Sequence, residues 1–163
     1  MQRKTLADAE CPIARSLERV GEWWSILIMR DALHGLRRFD EFTRSLDIAP
    51  NMLTRRLSSL VEDGLLERRA YSERPLRHEY VPTAKGEDFG GVLLALVAWG
   101  NRHYAPEGES VQIVERATGR RVEPVMADMS DGRLLALGEC TVQPGPAASA
   151  TMRERLGGKP DCS

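Results

Sequence analysis

Polar side chains suited to reading nucleic-acid bases cluster between residues 51 and 59. Arginine can fork onto guanine, asparagine can pair with adenine, and serine or threonine can adapt to either base. The cluster, with a methionine at its margin, comprises Asn51, Met52, Thr54, Arg55, Arg56 and Ser59. These side chains could recognise a base sequence if they projected together from one face of a helix.

An apolar stripe along the same segment predicts such a helix. Leu53, Leu57 and Leu60, hereafter the leucine stripe, recur at i, i+4 and i+7, which is the spacing of one helical face. Arg55 then points almost directly away from the stripe, and Met52, Thr54 and Arg56 lie at the margins of the polar face. The N-terminal half of the helix, from Asn51 to Arg56, should therefore face the bases.

Further elements are predicted on both sides of this helix. Apolar periodicity predicts helices over residues 12–20, 23–33, 39–46, 51–63 and 84–104, and strands over 65–71 and 78–83 joined by a long loop over 72–77. The third and fourth helices with their tight connection make a helix-turn-helix, and the hairpin behind them makes a wing. The predicted fold class is α+β, a winged helix-turn-helix whose fourth helix enters the major groove of DNA.

Other basic residues stand where they could contact the phosphate backbone. Arg37 and Arg38 precede the third helix, and Arg74, Arg77 and His78 lie on the wing. Phosphate contacts position a protein on the duplex, and a wing can reach an adjacent minor groove. Each arginine taken singly is equally consistent with a solvated surface. A winged helix that binds a partner protein without reading DNA remains the alternative.

Composition and charge narrow the class of protein. The chain has 163 residues, 23 Lys plus Arg, 24 Asp plus Glu and a formal net charge of −1, which excludes a uniformly basic coat but not a basic face. No apolar run approaches the roughly 20 residues of a membrane span, and the N-terminal segment lacks the apolar region of a secretory signal. A cytoplasmic protein without a membrane partner is expected.

Neither catalysis nor metal binding is indicated. Cys11, Cys140 and Cys162 are too widely separated to form a metal-binding clip. The three histidines are scattered, and the chain contains no P-loop, GxGxxG, HExxH or nucleophile-elbow motif. We therefore expect no enzymatic activity, no metal and no cofactor.

Short signature pieces are distributed over residues 11–103. They are Cys11-Pro12, Trp24, Arg37-Arg38-Phe39, Met52-Leu53-Thr54 with Arg56-Leu57, Glu62-Asp63-Gly64-Leu65, and Tyr80 with Thr83 and Gly86. In these pieces the chain resembles the HxlR-type winged helix-turn-helix transcriptional regulators of the MarR-like superfamily. The resemblance implies a homodimeric repressor or activator that binds double-stranded DNA. Its two winged helices would meet successive major grooves about 34 Å apart on a palindrome-like operator.

Excess apolar surface on the last helix of this region also predicts a partner chain. From Phe89 to Trp99 the helix is apolar nearly all round, so one face meets the core and another needs a second subunit. The resemblance implies that the first and last helices build the homodimer. The expected interface residues are Ile13, Leu17, Val92, Leu96, Trp99 and His103.

Cys11 and Trp23 are candidates for sensing a small-molecule effector. Cys11 precedes Pro12 at a helix start, where unpaired N–H groups and the helix dipole favour a thiolate, and Arg15 one turn on could help. The resemblance implies a cysteine that senses oxidants, quinones or aldehydes, and the alternative is an inert thiol. Trp23, where the family usually has a basic residue, would either pack or line an effector pocket.

A change in pattern near residue 104 predicts two domains. Residues 1–104 form the winged helix-turn-helix with its dimerisation helices, and residues 105–163 form a C-terminal extension. Short strands are predicted over 111–126 and 133–143, followed by a short helix over 147–156 and a frayed tail. This β-rich appendage would cover the dimer or wall a ligand cavity, and a simple stabilising cap is the alternative.

Overall fold

The structure is a computed structural model that describes residues 5–157. Its helices are α1 (Pro12–Val20), α2 (Trp23–Leu33), α3 (Phe39–Leu46), α4 (Pro50–Glu62), α5 (Ala84–Asp88), α6 (Gly90–Tyr104) and α7 (Ala150–Gly157), and its strands are β1 (Leu66–Glu73) and β2 (Leu76–Pro82). The first four helices confirm the sequence prediction to within about one residue at each end. No helix in the described part of the chain is long and apolar enough to cross a membrane.

The core lies between α2, α3, α4 and the base of the β-hairpin. Three helices contribute fully buried side chains to it. These are Ile28 and Met29 of α2, Phe42 of α3 and the whole leucine stripe of α4. Leu65 and Leu66, where the chain enters β1, add to the same cluster. Gly64 links α4 to this segment with φ +71°, a left-handed conformation that favours glycine. The predicted amphipathic stripe of α4 is thus confirmed, and its burial fixes which side of the helix faces outward.

The β-hairpin is longer and more tightly closed than predicted. Antiparallel pairing runs from Leu66 with Pro82 to Glu73 with Leu76, interrupted by a bulge between Ala70 and Ser72. The predicted six-residue loop is wrong, because only residues 74 and 75 connect the strands. Local hydrogen bonding accounts for this, since the Ser72 hydroxyl donates to the Pro75 carbonyl at 2.9 Å. The wing therefore presents its basic residues on ordered strands.

The single helix predicted over 84–104 is instead two helices that meet at Phe89. Thr83 caps α5 as expected, because its hydroxyl accepts the Gly86 N–H at 3.1 Å. The break coincides with Gly90 and Gly91, since consecutive glycines disfavour a continuous helix. Phe89 is half-buried against the core at the junction of the two helices.

The predicted strands of the C-terminal extension do not form, and this part of the prediction was wrong. Between residues 105 and 149 the structure has only a short 3-10 turn and two isolated β-bridges, Val114 with Arg121 and Ala127 with Leu134. The backbone hydrogen bonds at these bridges join residues at most nine positions apart, and too few of them form to make a strand. The predicted C-terminal helix exists as α7. Most of the predicted tail, including Cys162, lies outside the described residues.

Candidate nucleic-acid interface

The N-terminal half of α4 projects a polar face away from the core. Asn51, Thr54 and Arg55 are exposed, while the leucine stripe on the opposite side is fully buried. The Thr54 hydroxyl donates to the Pro50 carbonyl at 2.9 Å, which holds this side chain close to the helix. Arg55 extends from the centre of the exposed face, where a guanidinium could reach base edges in a major groove.

Two other residues predicted to contact bases are only partly exposed. Met52 packs against the hydrophobic core. The Ser59 hydroxyl donates to the Arg55 carbonyl at 3.1 Å, one turn farther from the N-terminal end. Both lie at the margins of the polar face rather than at its centre.

Arg56 does not lie on the exposed face, which corrects the prediction for this residue. Only 15% of its side chain is exposed, and its Nη2 lies 3.3 Å from a carboxylate oxygen of Glu22 at the start of α2. Adjacent residues on a helix are about 100° apart, so exposing Arg55 turns Arg56 toward the α1–α2 corner. Sequence reasoning missed Glu22, because no local pattern links two residues 34 positions apart.

Arg37 is also committed to contacts within the protein. Its guanidinium donates to the backbone carbonyls of Ala32 and Leu36, the latter at 3.0 Å. It thereby satisfies the Ala32 carbonyl at the C-terminal end of α2 and the Leu36 carbonyl in the loop that follows. The Arg37 backbone carbonyl also accepts the Tyr80 N–H at 2.7 Å, which ties this loop to β2. Arg37 is therefore built into the fold and is not presented as a phosphate contact.

Arg38 is exposed and lies against the wing. Its guanidinium carbon is 4.7 Å from the centre of the Tyr71 ring, which is cation–π geometry. The backbone N–H groups of Arg37 and Arg38 both donate to the Glu41 carboxylate at 2.8 Å, and these bonds lower the pKa of Glu41. The loop before α3 is thus held by a charged cap, with the Arg38 side chain facing outward.

The wing carries an exposed basic surface that sequence reasoning only partly identified. Arg74 and Arg77 are exposed, and His78 is half-buried, with its Nε2 3.4 Å from an Arg68 nitrogen. The exposed Arg68 on β1 was missed, although the Arg-Arg pair in a predicted strand could have indicated it. Arg69 beside it is bound by Glu67, with two hydrogen bonds of 2.8 and 3.0 Å.

An apolar groove, hereafter the α1–α6 groove, runs on the other side of the domain. It is lined by Ile13 and Leu17 from α1 and by Val92 and Leu96 from α6, and each of these side chains is 43–70% exposed. Farther along α6, Trp99 is exposed and its ring centre lies 5.6 Å from that of His103. The structure therefore brings together four of the six residues expected at a dimer interface, and it places Trp99 and His103 farther along α6.

Known proteins share this arrangement. A sequence profile described as HxlR-like helix-turn-helix matches residues 19–108. The chain belongs to this family. The HTH-type transcriptional regulator Rv3095 of Mycobacterium tuberculosis is 36% identical over 141 residues, which cover 86% of this chain and 89% of the relative. This HxlR-like protein is therefore a helix-turn-helix transcriptional regulator and not an enzyme.

Solved structures include relatives with and without the extension. PA1374 from Pseudomonas aeruginosa, a candidate transcription factor, is 75% identical with a TM-score of 0.66, and the match covers 90% of this chain and 100% of that one. The redox regulator HypR in its oxidised form is 33% identical with a TM-score of 0.51, and the match covers 57% of this chain and 97% of that one. The HypR match thus spans little more than the winged helix of this HxlR-like regulator.

Cys11 of this HxlR-like regulator occupies the N-cap position of α1 and is half-buried. The backbone N–H groups of Ala14 and Ile13 lower the pKa of the Cys11 thiol, and the Arg155 guanidinium from α7 adds to the effect. Arg15 was expected in that role, but its guanidinium donates to the Ala9 carbonyl instead. Sequence reasoning could not have found Arg155, because the docking of α7 beside α1 is a tertiary contact.

Trp23 is 59% exposed and stacks on Trp24, with ring centres 3.8 Å apart. Of the two roles considered for Trp23, packing or lining an effector pocket, this stacking agrees with packing. Trp24 covers one face of the ring, and much of the side chain stays exposed. Among the described residues, no group of histidine, cysteine or carboxylate side chains could hold a metal ion.

Proposed function

We propose that this regulator is a cytoplasmic homodimer that binds a palindrome-like DNA operator through α4 and the wing. The observation that carries the proposal is the orientation of α4. Burial of the leucine stripe leaves Asn51, Thr54 and Arg55 exposed on the opposite side of α4, with side chains suited to base edges. We assign the phosphate contacts to exposed arginines on the adjacent loop and wing, with His78 beside them. These arginines are Arg38, Arg68, Arg74 and Arg77.

The α1–α6 groove supports the dimeric part of the proposal. Large apolar side chains from two helices form one continuous exposed surface, which a monomer rarely leaves open to water. A second copy would cover it isologously, so that each α1 and α6 meets the partner's. Two recognition helices would then lie about one DNA turn, roughly 34 Å, apart.

Selection of duplexes from a random pool, followed by titration with fluorescence anisotropy, tests the DNA-binding part. Arg55→Ala should weaken binding to the selected duplex by about 1–3 kcal/mol and relax preference at one base position, whereas Arg77→Ala should weaken binding to all duplexes similarly. Arg116→Ala, an exposed arginine of the extension, is the matched control and should bind as the wild type does.

The salt dependence of binding distinguishes DNA readout from the alternative of a protein-binding module. Release of counterions makes DNA affinity fall steeply with salt, whereas an apolar protein interface would respond little. If no duplex is enriched, or if Arg55→Ala and Arg77→Ala both bind the selected duplex like wild type, the proposed DNA interface is wrong.

Sedimentation analysis tests the dimer. Leu96→Glu places a charge in the α1–α6 groove and should shift the protein to a monomer, because burying an unpaired charge is costly. Val142→Glu, an equally drastic change at an exposed position of the extension, is the control and should leave the dimer intact. A wild-type protein that sediments as a monomer at all concentrations would contradict the proposal.

A redox response through Cys11 is a second proposed property, favoured by the lowered pKa of its thiol. The Cys11 thiolate would attack a hydroperoxide, forming an S–O bond as the O–O bond breaks, so that the sulfur becomes a sulfenic acid and the peroxide leaves as an alcohol or water. HypR, named a redox regulator, is a relative of this chain.

The rate of alkylation by iodoacetamide as a function of pH tests the reactivity of Cys11. In a variant with Cys140→Ser and Cys162→Ser, the rate should reach half its maximum below the ordinary thiol pKa of about 8.5. A midpoint at or above that value would argue that Cys11 is an inert thiol.

A further inference from the structure

Two ion pairs join the recognition helix to the corner between α1 and α2. Nη1 of Arg19, near the end of α1, lies 3.1 Å from Oδ1 of Asp63, which follows α4. Nη2 of Arg56 lies 3.3 Å from Oε2 of Glu22, which begins α2. Both pairs border one polar cleft between α4 and the corner. The corner thus contributes one cation, Arg19, and one anion, Glu22. Each of them pairs with the opposite charge on the α4 side of the cleft.

The less exposed member of each pair lies on the α4 side of the cleft. Side-chain exposure is 15% for Arg56 and 18% for Asp63, against 30% for Glu22 and 46% for Arg19. The buried Arg56 Nε also has no hydrogen-bond partner among the described residues. Burying a guanidinium with one unsatisfied N–H costs free energy, so the pair is a poor device for stability alone. Such groups are better suited to fixing the register of two elements.

The spacing of the four residues makes the pairing specific to one orientation. Arg56 and Asp63 are two helical turns apart and share one side of α4, while Arg19 and Glu22 are three residues apart at the corner. Rotating α4 by one residue, about 100°, would break both pairs. The leucine stripe fixes which side of α4 is buried, and the two charge pairs fix how α4 lies against the corner between α1 and α2.

The same corner also borders the α1–α6 groove. Arg19 and Val20 line that groove together with Leu17. Arg19 therefore touches the surface that we assign to the dimer and, through Asp63, the end of the recognition helix. A rigid connection here would transmit the geometry of the dimer to α4.

We infer that Arg19–Asp63 and Glu22–Arg56 form a latch that fixes the angle of α4 relative to the α1–α6 groove and thereby sets the half-site spacing that the dimer accepts. Arg56 is a positioning residue in this scheme and does not read a base. The inference rests on the proposed dimeric DNA binding. Without the latch, each recognition helix could still bind a half-site. The angle between α4 and the α1–α6 groove would no longer be fixed.

Duplexes of altered spacing test the latch. The probes are the palindromic duplex selected by the wild-type protein, derivatives with one base pair inserted or deleted at the centre, and a duplex containing a single half-site. Each inserted pair moves one half-site by about 3.4 Å and turns it by about 34°. Wild-type protein should lose about tenfold or more in affinity for the altered duplexes, because moving one half-site out of register removes contacts to it.

The variants are Glu22→Gln and Asp63→Asn, singly and together, which remove charge with little change of shape. Their penalty for altered spacing should fall to about threefold or less, while affinity for the half-site duplex stays within about twofold of wild type. Asp40→Asn, which breaks the fully solvated Arg44–Asp40 pair on α3, is the matched control and should keep the wild-type spacing penalty. Arg56→Lys retains the charge and should keep much of that penalty.

Thermal unfolding of each variant separates the latch from a simple stabilising role. If the double variant keeps the wild-type spacing penalty, whether or not its melting temperature falls, the inference is wrong. It is also wrong if Glu22→Gln weakens half-site and full-site binding equally. A wild-type protein that shows no spacing preference would instead contradict the dimeric DNA binding on which the inference rests.

Discussion

The winged helix and the C-terminal extension use similar apolar residues in opposite ways. Every buried hydrophobic residue of the described chain lies between Val20 and Leu66. Among the side chains that the structure describes from residue 105 to residue 157, none is buried, and Val125, Met126 and Met129 are all more than 60% exposed. Apolar content alone therefore does not make a core. Helical periodicity groups side chains on one face before tertiary contacts form, whereas the short, turn-broken segments of the extension have no common face.

The largest expected effect comes from cutting the same kind of side chain in the two regions. Leu57→Ala should lower the free energy of unfolding by about 2–5 kcal/mol, because it opens a cavity in a fully buried cluster. Val125→Ala in the extension should change it by less than about 0.5 kcal/mol. Urea unfolding followed by tryptophan fluorescence measures both. A loss of more than about 1 kcal/mol of unfolding free energy for Val125→Ala would mean that the extension unfolds together with the core.

A hydroxyl can be removed from each region in the same way. Thr83 caps α5 and also donates to the Gly64 carbonyl at 2.6 Å, across 19 residues of chain. Thr83→Ala should cost about 1 kcal/mol of unfolding free energy. Thr118, whose hydroxyl bonds only Glu115 and the Arg120 N–H within its own turn, is the matched position. Equal melting temperatures for Thr83→Ala and Thr118→Ala would show that the long-range bond adds nothing.

The smallest expected effect is on the pH dependence of stability. Two backbone N–H groups hold the pKa of Glu41 below its ordinary value. This stabilisation is complete above the unfolded-state pKa, near 4.3, and is lost as the pH falls through the lower folded-state pKa. Glu41→Gln should therefore reduce stability at neutral pH and flatten the decline of the melting temperature on acidification.

Asp128 provides the counterpart in the extension. The hydroxyl and N–H of Ser130 lower the pKa of Asp128 within a single turn. Asp128→Asn should leave the acid dependence of tryptophan fluorescence unchanged, because no core residue depends on that turn. Identical acid profiles for Glu41→Gln and wild type would contradict the assigned role of the cap before α3.

Prediction from sequence succeeded where a local period coincided with a buried face. The bounds of α1 to α4, the leucine stripe and the cap at Thr83 all follow from spacing over fewer than two helical turns or from one capping residue. It failed in the extension, because alternation over a few residues does not form a strand without a neighbouring strand to pair with. It also failed at the boundary between α5 and α6, because the apolar pattern continues through Phe89 while the consecutive Gly90 and Gly91 interrupt the helix.

The sequence by itself determined the order of the elements, the buried face of α4 and the family to which the chain belongs, because each depends on residue types at short, regular spacings. Only the tertiary structure decided the roles of individual charges. Arg55 and Arg56 are neighbours of the same type, yet one faces solvent and the other binds Glu22, 34 positions away. Arg37 and Arg38 differ in the same manner. The Arg37 guanidinium donates to backbone carbonyls at and after the end of α2, whereas that of Arg38 lies over the Tyr71 ring. The spacing of arginines along the sequence does not indicate which groups their long side chains will contact. Those partners depend on which parts of the folded surface lie within reach.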